Sequence, residues 1–227
     1  MGEWYSNRQM YITGWVMCSP NDTYIEPAQS CADIAFAKSQ HNTTQGISGT
    51  YTLTTQSGTT YEAYCDMHLE GGGWTQGIRQ ANNSTLFNYD SSYWTDGTLY
   101  NEGQVAPNNR DAKFQSFLSV PFDEIAVGMT QSYGATAEST ISRDSYRYVT
   151  MPQSASSMLS LFQSPGEKLS NATLAGTSTT GRNAWKSLIT DSSLQYNCNK
   201  QGANVGNNYA RVRLGILGNN ENNCGSP

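Results

Sequence analysis

Two histidines, His41 and His68, are the only side chains in these 227 residues that ordinarily titrate near neutrality. His68 sits between Asp66 and Glu70 in a stretch that reads as an exposed turn. No nucleophile elbow, phosphate-binding glycine loop or metal-spaced histidine pair accompanies it, so an enzyme is not expected. Asp66, Glu70, Glu102 and Glu221 offer oxygen for calcium, although each reads more simply as a solvated loop carboxylate. The five cysteines, Cys18, Cys31, Cys65, Cys198 and Cys224, lack the close pairing of a zinc site. Disulfides are the better reading. The ligand-binding candidates are Tyr89, Tyr93, Trp94 and Tyr100, aromatic rings set among Asn, Asp and Gly in a loop-rich stretch. Such rings form sugar platforms, and a β-rich core uses the same residues.

Composition narrows the class. The formal net charge is −5 and charged residues make up only 14% of the chain, with no basic run. A nucleic-acid partner is therefore not expected. The longest apolar runs fall far short of the roughly 20 residues a membrane-spanning helix requires. Met1-Gly2-Glu3-Trp4-Tyr5 lacks the basic head and apolar middle of a signal peptide, so the chain is expected to be a mature form. Asn21, Asn42, Asn82, Asn83 and Asn171 lie in glycosylation sequons. Several are expected by chance in a chain this rich in Asn and Thr.

The elements that would position these groups follow from local patterns. Residues 4–17 carry Trp4, Tyr5, Tyr11, Ile12 and Trp15, too apolar for a free tail. Ser30, with Asp33 three residues on, predicts a capped helix over 31–40. Strands are predicted at 50–55 and 60–66, turning at Ser57-Gly58. Gly71-Gly72-Gly73 predicts backbone with positive φ or a close approach to another segment, and Trp74 a buried anchor whose indole needs a partner. Ile125, Val127 and Met129 alternate with Ala126, Gly128 and Thr130 as in a half-buried strand. Further strands are predicted at 144–151 and 209–217, the latter turning Val212, Leu214 and Ile216 to the core and Arg211 and Arg213 away. Short helices are predicted over 154–162, closed by Pro165-Gly166, and over 182–189 with Trp185.

Cys31, then Ser48-Gly49-Thr50-Tyr51, then Tyr64-Cys65-Asp66-Met67, then Gly71-Gly72-Gly73-Trp74-Thr75, resembles in order the opening of a fibrinogen-like domain. That family includes fibrinogen C-terminal modules, ficolins and the more distant intelectins. Trp94 followed by Tyr100-Asn101, and the end from Cys198 onward, resemble it too. The resemblance implies an α+β fold of mixed or antiparallel sheets, short helices and long loops. It divides the chain into an apolar leader, 1–29, and a domain, 30–227. The family continues beyond this point, and the continuation carries most calcium ligands and most of the ligand pocket. Neither an Asp-x-Asp loop nor a later aromatic pair is present here.

Cys31 is expected to pair with Cys65 and Cys198 with Cys224, each pair bracketing a strand–turn–strand unit. Bridges over loops of these lengths contribute roughly 3–4 kcal/mol each in the chain-entropy model. Cys18 is left free or joined to another chain. Calcium, if held, is expected at Asn219, Glu221 and Asn222 in the run ending at Cys224. Two functions are in view. One is a secreted lectin-like module for glycans or acetylated groups. The other is a structural subunit of an extracellular filament, sheath or matrix, self-associating as a homo-oligomer through the leader and Cys18.

Overall fold

Three consecutive glycines shape the tight turn between the strand ending at Asp66 and the one beginning at Trp74. Gly71, Gly72 and Gly73 have φ of +98°, +89° and +88°, a region L side chains rarely enter. A Cβ on Gly72 would collide with the Met67 carbonyl, and one on Gly73 would lie 3.0 Å from Ala32 Cα. Positive φ and close approach therefore both apply. Asp66 organises the turn from its first residue, its Oδ1 accepting from the backbone N–H of His68 at 2.8 Å and of Leu69 at 3.0 Å. Trp74 follows the turn fully buried, and its Nε1 donates to the Leu69 carbonyl at 2.9 Å. The Cys31–Cys65 disulfide, with Cα atoms 5.5 Å apart, ties this unit to the preceding helix.

The computed structural model describes residues 10–17, 27–40, 46–81, 84–131, 146–170, 173–174, 181–188, 194, 199–207 and 210–218. Its strands are β1 (Met10–Met17), β2 (Gly49–Thr54), β3 (Thr60–Asp66), β4 (Trp74–Gln80), β5 (Ala112–Lys113), β6 (Phe122–Gln131), β7 (Tyr146–Ala155), β8 (Lys168–Leu169), β9 (Thr173–Leu174), β10 (Lys200–Gly206) and β11 (Arg211–Leu217). The helices are α1 (Cys31–Gln40), α2 (Gln115–Ser119), α3 (Met158–Gln163) and α4 (Gly181–Leu188). The fold is α+β. One eight-stranded sheet runs β2-β3-β4-β1-β6-β7-β9, with β5 added to β4, and a three-stranded sheet runs β11-β10-β8. All their pairings are antiparallel.

α1 begins at its predicted cap, whereas Ser154 and Ala155, expected in the helix over 154–162, belong to β7 and α3 begins at Met158. Asp33 Oδ2 accepts from Ser30 N at 2.9 Å, and Ser30 Oγ accepts from Asp33 N at 3.3 Å, closing the capping box of α1. Ser157 and Ser160 form the equivalent box on α3. Trp185 is buried on α4, and its Nε1 donates to Gln201 Oε1 at 3.0 Å.

Two expectations change. The stretch expected as a leader contributes β1, which pairs with β4 along one edge and β6 along the other. Residues 10–17 are thus an interior strand of the domain, and the boundary at 29 does not separate them from it. The physical reason is hydrogen bonding on both edges together with burial of Trp15 and Val16 on opposite faces. A bulge at Gly77 lets Gly14 face Ile78 while Trp15 faces Gln76. Gly14 is required there, since a Cβ would lie 2.9 Å from Ile78 Cγ2 and 3.1 Å from Met158 Cε. β6 is the second change. Ala126 is as buried as Ile125 and Val127, so this strand is covered on both faces rather than one.

The main core lies on one face of the large sheet, where Val16, Ile78, Ile125, Val127, Val149 and Met151 meet α2, α3, α4 and Leu214 of the small sheet. Trp15, Trp74, Ala126, Tyr146 and Tyr148 form a second cluster on the opposite face. No helix among the described residues is long and apolar enough to cross a membrane. His41, Cys18, Cys198, Cys224, all five sequon asparagines and the expected calcium residues Asn219, Glu221 and Asn222 lie outside the described residues.

Candidate ligand-binding cleft

The aromatic loop between β4 and β5 owes its shape to two buried cations. Arg79, on β4, is fully buried. Its guanidinium donates to the carbonyls of Gln104 at 2.6 Å, Ala106 at 3.0 Å and Arg110 at 2.9 Å. Burial pulls its pKa down to about 10, which still leaves it charged at neutral pH. Lys113, on β5, is equally buried. Its Nζ donates to the Asp96 carbonyl at 2.6 Å and lies 4.7 Å from the centre of the Phe117 ring. Burial lowers the Lys113 pKa, and the Asp96 charge opposes that shift. Charges placed this deep stay only where fixed acceptors surround them.

Within the loop the four candidate rings take different roles. Trp94 is core: its Nε1 donates to the Phe87 and Asn88 carbonyls at 3.1 and 2.9 Å, and its ring lies 4.8 Å from that of Phe162. Tyr93 stands edge-on between Phe87 and Tyr100, with ring centres 5.9 and 5.7 Å away. Tyr100 is 36% exposed and does not line the cleft described next. Tyr89 does, and Trp94 closes the cleft's inner wall.

The cleft comprises two adjoining hollows that share Tyr89 and Arg213, of about 180 and about 400 Å3. The inner hollow is walled by Gly14, Ile78, Phe87, Trp94 and Leu214. The outer one is bounded by the segment after α3 and by the β10–β11 hairpin. Arg211 and Arg213, two apart on β11, both hold their guanidinium carbons over the Tyr89 ring, at 4.3 and 4.4 Å from its centre. This is cation–π geometry. Arg213 also donates to the Tyr89 carbonyl at 2.7 Å and to Asn204 Oδ1 at 2.8 Å. Asn204, with φ +53°, turns its Nδ2 to the Phe162 and Ser164 carbonyls, both at 3.3 Å. Glu167 accepts from Gly206 N at 2.9 Å and from Lys200 at 3.0 Å. These bonds, Gly206's first, lower the Glu167 pKa. The cleft thus offers an apolar wall, a fixed pair of cations, an amide and a carboxylate.

His68 stands exposed in the glycine turn, away from the cleft. Ser48 Oγ lies 2.8 Å from His68 Nδ1 and accepts from Met67 N at 2.9 Å. Asp66 Oδ1 accepts from the backbone of the same turn and, at 3.4 Å, from Ser48 Oγ. This network folds the glycine turn and stands apart from the cleft. Among the described residues, no three His, Cys, Asp or Glu side chains converge as a metal site.

Sequence reasoning missed Arg211, Arg213 and Asn204 as cleft residues. The alternation of β11 placed both arginines off the core, which is a signal for a shared face but not for what lies opposite. Arg79 and Lys113 had no signal beyond being single cations in apolar strands. Compared with protein-family models and with curated proteins, the sequence finds no match.

Proposed function

We propose that this chain is a secreted, non-enzymatic recognition module of fibrinogen-like type, and that it holds glycans or acetylated groups in the cleft at Tyr89. The observation that carries the reading is the meeting of Tyr89, Asn204, Arg211 and Arg213 beside an apolar wall. A sugar has the same two-sided chemistry, a ring with C–H faces and a rim of hydroxyls. Arginine N–H groups donate to such a rim, and Glu167 accepts. The order of motifs from Cys31 to Trp74 supports the family, and the Cys31–Cys65 disulfide suits an oxidising compartment. The filament reading drew on residues 4–17 as a strap between chains. β1 uses 10–17 inside the sheet instead, which favours the recognition reading.

A glycan array probed with the purified protein tests this. Binding to a subset of glycans is expected, weakened about tenfold or more by Asn204→Ala and little changed by Tyr100→Ala, which lies outside the cleft. Absence of binding to every glycan sinks the proposal. Calcium belongs to the proposal through Asn219, Glu221 and Asn222. An unchanged melting curve in chelator removes it.

A further inference from the structure

The charge of the cleft runs against that of the whole chain. The chain carries a formal −5. The charged residues lining the cleft are Arg211, Arg213 and Glu167, and their direct ionic partners are Asp90 and Lys200. Three cations thus stand against two carboxylates. The two carboxylates are unequal in availability. Glu167 is held by both Lys200 and the Gly206 N–H. Asp90 makes a single 2.9 Å contact to Arg211 Nη2, with its own side chain 73% exposed and that of Arg211 51% exposed. Such a surface pair contributes little and is readily exchanged. Arg213 has no carboxylate partner among the described residues. Its position is set instead by the Tyr89 ring, the Tyr89 carbonyl and Asn204.

The geometry points to a ligand with a carboxylate, and, resting on the recognition reading above, to a saccharide that carries one, such as a uronate. Its carboxylate takes the place of Asp90 on Arg211, with the Arg213 cation held over the same Tyr89 ring. The arginine fork matches a planar carboxylate with two parallel hydrogen bonds, which the single Asp90 contact does not use. Tyr89 works here as a brace: with two guanidinium groups over it, the ring holds both cations rather than serving as an open stacking platform. The saccharide ring then lies toward the outer hollow, where Phe162 and Pro165 provide apolar surface and Asn204 and Glu167 polar partners. Asp90 acts as the protein's own stand-in for the ligand and keeps the cations paired when the cleft is empty.

The test is calorimetric titration of the full chain with four probes: a glucuronate-containing oligosaccharide, its methyl ester, the matching glucose oligosaccharide and inorganic phosphate. The free acid is expected to bind about tenfold tighter than its ester, with affinity falling as salt rises. Arg211→Gln, at a half-exposed position, is expected to abolish that preference, and Asp90→Asn to raise affinity about threefold by removing the competitor. Equal binding of acid, ester and neutral sugar overturns the inference and leaves the recognition reading standing. Phosphate binding as tightly as the acidic oligosaccharide overturns the saccharide class. Weaker binding of the acid by Asp90→Asn overturns the stand-in role. No binding of any glycan removes both readings together.

Discussion

At Gly72 a single added methyl group meets immovable backbone. The residue's φ is +89° and its Cβ would strike the Met67 carbonyl. Gly58 has the same φ, yet a Cβ there would meet nothing within 4 Å. Gly72→Ala is expected to cost roughly 3 kcal/mol or more and Gly58→Ala about 1 kcal/mol, measured by urea denaturation. Similar costs at both sites would mean that the turn relaxes. Tyr61 supplies a residue-scale pH dependence. Burial raises its pKa from 10.0 to about 12. Below pH 10 the phenol is neutral in both folded and unfolded chains. Between pH 10 and about 12 only the unfolded chain releases the proton, so stability falls across that window. The difference in stability between wild type and Tyr61→Phe is therefore expected to be flat below pH 10 and to shift in favour of the variant above it. A difference that stays flat to pH 12 refutes the assignment.

At the scale of elements, β4 and β5 carry the loop that supplies Tyr89. Arg79→Met keeps the length of the side chain and strips the carbonyls of Gln104, Ala106 and Arg110 of their donors. A loss of about 3 kcal/mol or more is expected, with faster amide exchange confined first to residues 104–111. Arg79→Lys restores only part, because one ammonium cannot reach three spread carbonyls. Unchanged exchange in that segment would show that the loop is held by other means. These elements also mark where sequence reading succeeds. The serine cap of α1, the Gly58 turn, the glycine turn before Trp74 and the Cys31–Cys65 bridge all depend on residues close in sequence or on residue types with few alternatives. Trp94 was legible as an aromatic and not as core, because its burial depends on Phe117 and Phe162, which a local pattern does not see. The cleft was illegible for the same reason: Tyr89 meets Arg213 across 124 positions of chain.

At the scale of the molecule, β1 joins the two halves of the large sheet. β2, β3 and β4 lie on one side of it and β6, β7 and β9 on the other. Removing residues 10–17 is expected to abolish cooperative unfolding altogether, read by near-ultraviolet circular dichroism and thermal melting. A shortened chain that keeps the native melting transition would place the strand outside the folding unit.

The place of β1 also sets an order in time. It is made before both of its neighbours, yet it pairs with residues near 75–80 on one side and 124–131 on the other. A chain emerging from the ribosome therefore carries Trp15 and Val16 unsheltered until β6 has followed. Pairings so distant in sequence close slowly, and an apolar strand with both edges open is the surface on which nascent chains associate with one another. The strand that joins the two halves of the sheet is, during synthesis, exposed until both of its partners have been made.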